Sequence, residues 1–367
     1  MGEALSTPHL QTHEPLLSVL IVAHNEAATI GAKIMNCLEL DYPRERLQLV
    51  IASDGSSDET AAIAGAFASE GVRVVAFPGR RGKAAVLNDV LPRLDAEIVV
   101  LADARQQLDS NALRSLVRPF TDPNVGAVSG ELVLRTATNG VGGGVGFYWQ
   151  YEKLLRRSES AVDSTVGATG ALYAIRRLLF EPIPEDTLLD DVLIPLRIVR
   201  QGYRVVFEDR ARAFDRPPET TRQELPRKIR TMAGNFQLFA RERWLLNPIH
   251  NRLWFQAISH KGLRLVLPLL HIGLLTANLT ILQISRFYVW TLVAQVLFYA
   301  AAFVGHATRH RQYSSRLVSV PYVMCLMGWA TVAGFMRFLR GRQSAAWDPT
   351  RFIEPDRAVG VTSTGAR

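Results

Sequence analysis

Cysteine is nearly missing from this chain, with two in 367 residues, Cys37 and Cys325. One sits in an apparent helix and the other in an apolar run, so no disulfide framework or cysteine metal cluster is implied, and a reducing, cytoplasmic setting fits. Missing as well is an apolar leader. The start MGEALSTPHLQTHEP has no hydrophobic core of a secretory signal, so the protein is expected to begin in the cytoplasm. No internal repeat stands out, and the one biased stretch is a polar tail after Asp348, expected to be disordered. The net charge is +8, yet the basic residues form no patch of the kind that binds nucleic acid. Many fall between Arg222 and Arg252 and again at 309–316, beside apolar runs. There, cationic side chains favour the cytoplasmic face of a membrane and its anionic headgroups. The expected partner is a lipid bilayer and not a nucleic acid.

What is present falls into two parts. From Leu263 to Phe338 the chain is mostly apolar, with runs at 263–283, 287–306 and 317–338. Each has about the 20 residues needed to cross a hydrocarbon core. Arg264, Pro268, His271 and Asn278 interrupt the first run, and a buried helical domain is the alternative. Three crossings from a cytoplasmic start carry a conflict, because they put Arg337, Arg340 and Arg342 outside, against the positive-inside tendency. Either one run is re-entrant or interfacial, or the tail departs from the rule.

Before Asn247 the charges are evenly spread, and strand-like and helix-like stretches alternate. Strands are expected at 17–23, 47–52, 72–76 and 97–102, and helices at 26–39, 57–70, 82–93 and 109–119. That alternation implies right-handed βαβ units and a mainly parallel sheet covered by helices. A strand at 126–134, a Gly-rich hinge at 140–146 and an amphipathic helix at 147–160 come next. Three of the strands end in polar residues: His24-Asn25-Glu26 after the first, Asp54-Gly55-Ser56-Ser57 after the second, and Asp103-Ala104-Arg105 after the fourth. Ligands of open α/β sheets bind beyond the carboxyl ends of the strands, so these residues point to one site for a polyanionic, sugar-bearing nucleotide. Taken alone, the second is equally an ordinary turn that caps a helix.

The segments SVLIVAHNEAATI, SDGSSDET, GRRGKAAVLN, LADARQ, GATGALYAIRR and LLDDV occur in an order and spacing that resembles the family 2 glycosyltransferases. That family includes cellulose, chitin and hyaluronan synthases and bacterial poly-N-acetylglucosamine synthases, and the likeness covers roughly residues 17–345. The resemblance implies a GT-A nucleotide-sugar fold of the Rossmann-like α/β class and an inverting transfer from a UDP-sugar. The acceptor would be a growing glycan or a lipid-linked sugar. It also implies a division into a tail at 1–16, a catalytic domain at 17–225, interfacial helices at 226–260, a membrane region at 261–340 and a tail at 341–367. The expected setting is a bacterial plasma membrane with the catalytic domain in the cytoplasm and, where export is needed, an accessory subunit.

Residue by residue, the resemblance gives Asp54 to the nucleoside, and Ala23 and Glu26 to the base and ribose pocket. Glu26 is alternatively a carboxylate drawn to a helix N-terminus. Lys83, opening a helix after Gly82, is the candidate diphosphate contact. Asn88 is expected to brace a loop. Asp103 matches the first acid of the family's Asp-x-Asp motif, which holds Mg²⁺ or Mn²⁺ against the diphosphate. The third position is Arg105, which removes one potential ligand. Either Asp103 holds the ion with diphosphate and water, or Arg105 takes over part of the charge. Gly167, Thr169 and Gly170 fall where the family borders its acceptor. Asp191 falls at the catalytic base, and its neighbour Asp190 either raises its basicity or caps the next helix. In the family's Gln-x-x-Arg-Trp motif, Arg230 matches, while Arg227 and Thr231 replace the Gln and the Trp, with Gln237 and Trp244 as possible substitutes. That change puts processive extension in doubt and leaves single transfer to a lipid carrier as the alternative. A nucleotide-binding scaffold without activity is a third reading, and a soluble nucleotidyltransferase a fourth that the apolar third of the chain disfavours.

Overall fold

The structure is a computed structural model and describes residues 14–134, 143–215, 221–308 and 315–341. The tail at 1–13, residues 135–142 and the tail from 342 lie outside the described residues, and with them the start of the Gly-rich hinge expected at 140–146, whose remainder from Gly143 opens a helix.

The N-terminal half alternates as the sequence leads one to expect. It runs β1 (Leu17–Ala23), α1 (Ala27–Leu38), β2 (Leu47–Asp54), α2 (Thr60–Gly65), β3 (Val72–Phe77), α3 (Lys83–Val90), β4 (Ile98–Ala102), β5 (Gln107–Leu108) and α4 (Ala112–Val117). Next come β6 (Val125–Leu134), α5 (Gly143–Val162), β7 (Leu172–Arg176), α6 (Asp190–Arg200), β8 (Arg204–Asp215) and α7 (Thr221–Arg241). The eight strands form one sheet in the order β3-β2-β1-β4-β7-β6-β8-β5. Its β3-β2-β1-β4 half is parallel, whereas β7 runs antiparallel to both β4 and β6. The expected parallel character therefore holds for the nucleotide-binding half and gives way to a mixed sheet beyond β4.

β1, β2 and β4 are apolar on both faces because helices cover both, which is why they read as unbroken runs rather than alternating ones. Ile21, Ile51 and Val100 face one core with Ile30 and Ile34 of α1. Leu20, Val50 and Leu101 face another with Val86 and Leu87 of α3. Several helices are shorter than expected. α2 and α4 begin late, and ahead of α4 Asp109 accepts the amide of Asn111, which stands at the cap position.

The expected boundary at 225/226 falls inside α7, a continuous helix that links the catalytic domain to the C-terminal helices. A short turn α8 (Trp254–Gln256) and a π-helical stretch (Ala257–Gly262) lead into α9 (Leu263–Thr280), α10 (Arg286–Ala307) and α11 (Arg316–Leu339). These last three are long and apolar enough to cross a membrane, and they match the three apolar runs within a few residues. Their outward faces carry exposed large side chains such as Leu269, Trp290, Phe303 and Trp329.

Candidate active site

The parallel register brings the ends of β1, β2 and β4 level, with Ala23 opposite Ser53 and Ile21 opposite Ala102. A cleft of about 340 Å³ opens at that edge. Ala23, Glu26, Asp54, Lys83, Asp103 and Arg105 line it from the sheet side, Asp190 and Asp191 from α6, and Arg227, Arg230 and Thr231 from α7. The nucleotide and catalytic positions read from the sequence thus meet in one cavity. Its size lies within the range of small-molecule sites.

Asp54 is 3% exposed. Its Oδ1 accepts the Arg81 amide at 2.7 Å and its Oδ2 the Gly82 amide at 2.8 Å. With both oxygens so engaged, it fixes the loop that aims the start of α3 into the cleft. Lys83 is the first residue of α3. Its Nζ stands 3.1 Å from Asp103 Oδ1 and 3.3 Å from Asp190 Oδ2, tying the ends of β4 and α6 together. Burial pulls the lysine pKa down, but the carboxylates of Asp103, Asp190 and Asp191 outweigh it and hold the ammonium protonated well above its ordinary value. Arg81 is exposed and pairs with Asp89 and Glu185. Glu26 stands at the cap position before α1, with Oε2 accepting from Thr29 at 2.8 Å, and burial raises its pKa.

Asp190 and Asp191 are the first two residues of α6, where the exposed amides of a helix start favour negative charge. The cap position is Leu189, so Asp190 does not cap from outside the helix. Asp190 is 8% exposed and its Oδ2 has no hydrogen-bond partner, only the Lys83 ammonium beside it. Asp191 is half-buried. Burial first, and then the Asp190 carboxylate, push its pKa up to about 6, against the opposing pull of Lys83 and Lys261. A carboxyl of that pKa is ionised at neutral pH and still basic enough to take a proton from a hydroxyl.

The glycine-rich segment before β7 serves this carboxylate from behind. A Cβ on Gly170 would fall 3.0 Å from Asp191 Oδ2, and one on Gly167 3.0 Å from Val192. The Ala168 amide donates to the Asp191 carbonyl at 2.8 Å, and the buried Thr169 donates its amide to Ser129 Oγ. Gly167, Thr169 and Gly170 are absent from the cleft lining, whereas Ala171 is part of it. Gln237 and Trp244 do not reach the cleft either. Gln237 braces Leu188 and Asp186, and Trp244 donates to Glu242. Asn88 does brace a loop, exchanging two hydrogen bonds with the Ile183 backbone.

Sequence reasoning missed Asp215 and Gln106, both in the lining, with Gln106 Nε2 donating to Asp215 Oδ2 at 2.9 Å. Asp215 ends β8, so it repeats the strand-then-acid signal of Asp54 and Asp103. The signal went unread because RVVFEDRARAFD is rich in charge and does not look like a strand.

Residues 18–181 match the family model described as Glycosyl transferase family 2. Among curated relatives, the poly-beta-1,6-N-acetyl-D-glucosamine synthase of Staphylococcus epidermidis is 25% identical over 234 residues, 62% of this chain and 56% of that protein. The synthase of the same name from Staphylococcus aureus is 24% identical over the same length and shares. The chain thus spans just over half the length of the curated relatives it matches. Among solved structures, a mannosyltransferase from Pyrobaculum calidifontis in complex with GDP-Man and Mn²⁺ superposes with a TM-score of 0.63 at 24% identity, over 90% of this chain and 89% of its own. That likeness establishes the GT-A-like fold followed by apolar helices. Residues 18–181 thus carry a family 2 glycosyltransferase domain.

Proposed function

We propose that this chain is a membrane-bound inverting glycosyltransferase that moves a sugar from a UDP-sugar to a growing glycan. The observation that carries the reading is the placement of Asp191, its pKa near 6, in the same cleft as Lys83 and Arg230. Asp191 takes the acceptor hydroxyl proton as that oxygen bonds to the anomeric carbon. The bond from that carbon to the diphosphate oxygen breaks on the opposite face, and its electron pair leaves with UDP. Inversion makes an α-linked donor give a β-linked product. Lys83, held cationic, and Arg227 and Arg230 stabilise the charge that gathers on the departing diphosphate.

Among the described residues no cluster of three His, Cys, Asp or Glu side chains could cage a metal ion. Asp103 at the cleft, with the Asp190 Oδ2 that lacks a hydrogen-bond partner nearby, fits an ion held chiefly by diphosphate oxygens and water, the usual style for Mg²⁺. Bound there, Mg²⁺ or Mn²⁺ would neutralise leaving-group charge. Arg105, exposed at the same cleft, adds a fixed positive charge.

The lipid-linked, single-transfer alternative is favoured by one observation: no Phe, Tyr or Trp is among the described residues that line the cleft. A chain-holding site stacks sugars on aromatic faces. The relatives' names make UDP-N-acetylglucosamine the first donor to try, and the apolar helices put the reaction at a membrane. The proposed setting is the cytoplasmic face of a bacterial plasma membrane. The test is transfer of radiolabel from a panel of UDP- and GDP-sugars in membranes that contain the protein, with Asp191→Asn as control and products sized on a gel. High-molecular-weight label supports a polymer synthase. A single lipid-soluble product supports the alternative, and no label from any donor overturns both.

A further inference from the structure

The three apolar helices look alike in length and composition, but their contacts divide them. α9 and α10 form an antiparallel hairpin. Asn278 near the end of α9 hydrogen-bonds Gln295 and Thr291 near the start of α10, and His271 meets Phe298 and Tyr299 edge to face. α9 leaves the catalytic domain, so its Arg264 end and the Gly305 end of α10 lie on the catalytic side, and the turn at 281–285 lies on the far side.

α11 packs on this hairpin at its catalytic end. Near its start, a Cβ on Gly305 would run into the Val318 carbonyl oxygen, and His306 packs on Tyr322. Farther along, Thr331 Oγ1 reaches the Arg264 carbonyl at 3.4 Å. Farther still, α11 meets α7. A Cβ on Gly334 would fall 2.7 Å from Met232 Cβ and 2.9 Å from the Ala233 nitrogen, and Phe236 packs on Phe335 and Phe338. α7 cannot lie within hydrocarbon. It carries Arg227, Lys228 and Arg230, two of which line the cleft, and Gln237 bonds the catalytic domain. A helix of 24 residues is about 36 Å long, and one that crossed a bilayer would hold its ends about 30 Å apart in depth. Both ends of α11 lie instead at the catalytic face.

We infer that α11 is an interfacial helix rather than a third crossing. It lies across the base of the α9–α10 hairpin, docked on α7, with its exposed Leu317, Trp329 and Leu339 in the acyl–headgroup boundary of an anionic leaflet. Charge agrees with this placement. Among the described residues, Arg316 at the start of α11 and Arg337 and Arg340 at its end come to the catalytic side, where anionic headgroups favour them. The conflict between three crossings and the positive-inside tendency disappears. The placement does not depend on which sugar is transferred.

The test is topology in the full-length chain, expressed in a bacterial host with Cys37 and Cys325 replaced by serine. Single cysteines are placed at Gln283→Cys, in the α9–α10 turn, and Ser344→Cys, after α11. A membrane-impermeant maleimide should label Gln283→Cys in intact cells, and Ser344→Cys several-fold more strongly only after permeabilisation. A green fluorescent protein at the C-terminus should fluoresce, and alkaline phosphatase there should be inactive. Labelling of Ser344→Cys in intact cells, or an active C-terminal phosphatase, overturns the inference in favour of three crossings. Failure of Gln283→Cys to label from outside overturns it as well, because the hairpin then does not cross.

Discussion

Replacing Asp190 by asparagine keeps the shape of the α6 start and removes one negative charge beside the candidate base. The Asp191 carboxyl is held near pH 6 against an ordinary 3.8, equivalent to about 3 kcal/mol disfavouring its ionised form. As a general scale, two like unit charges on the order of 6 Å apart repel by roughly 1.5 to 3 kcal/mol at an effective dielectric of about 20 to 40. Burial is the larger cause of the rise and the Asp190 carboxylate the second. In Asp190→Asn, Lys83 also loses one of its two close carboxylates and turns more of its field on Asp191. Both changes favour ionisation. The base must be unprotonated to act, so the rate climbs with pH through its pKa. The acid limb of kcat/KM should lie near pH 6 in the parent and about one pH unit lower in the variant. Initial rates of labelled-sugar transfer across that range give the answer, with Asp191→Asn expected to lose about 10²- to 10⁴-fold at every pH. An acid limb that stays in place in Asp190→Asn, or a limb unrelated to Asp191, would refute the charge coupling and with it the assignment of the base.

Gly170→Ala should press the Asp191 carboxylate out of position and lower kcat about tenfold while leaving the donor KM unchanged, because the new methyl meets Oδ2 at 3.0 Å. Steady-state kinetics with varied donor checks it, and a change confined to KM would count against it. Asp54→Asn leaves one of two backbone amides facing an NH₂ group, which should cost about 1–3 kcal/mol locally. UDP titration should show weaker binding, with the thermal midpoint falling where the loop folds with the core. Asp103→Asn should shift the concentration of Mg²⁺ or Mn²⁺ needed for half-maximal transfer upward, whereas Arg105→Gln should leave that midpoint alone and weaken donor binding. Unchanged metal dependence in Asp103→Asn would remove the metal role from this residue.

The nucleotide half of the fold was readable in sequence because its strands are buried on both faces and end abruptly in acids. The runs LSVLIVA, LVIAS and EIVVLA need only be local to be recognised, and the parallel register that brings Ala23, Asp54 and Asp103 together follows from the βαβ hand. The charged β8 escaped notice because its outer residues face solvent and ion pairs, so Asp215 was lost with it. The roles within the site were less legible than its membership. Asp54 could be read as a nucleoside ligand, but its two oxygens are taken by backbone amides 27 and 28 residues on. Gly170 could be read as an acceptor border, but its missing side chain makes room for Asp191.

By itself the sequence determined the α/β class, the acids and cations gathered at one sheet edge, and three apolar stretches of membrane length, since all of these are set by local period and composition. Only the tertiary structure decided that Lys83 bridges Asp103 and Asp190, that Asp191 is buried enough to titrate near 6, and that α11 packs on α7 as well as on α10. The physical reason is the same in each case. Hydropathy and spacing are properties of one segment, whereas a pKa, an ion pair and the depth of a helix are set by partners far away in the chain.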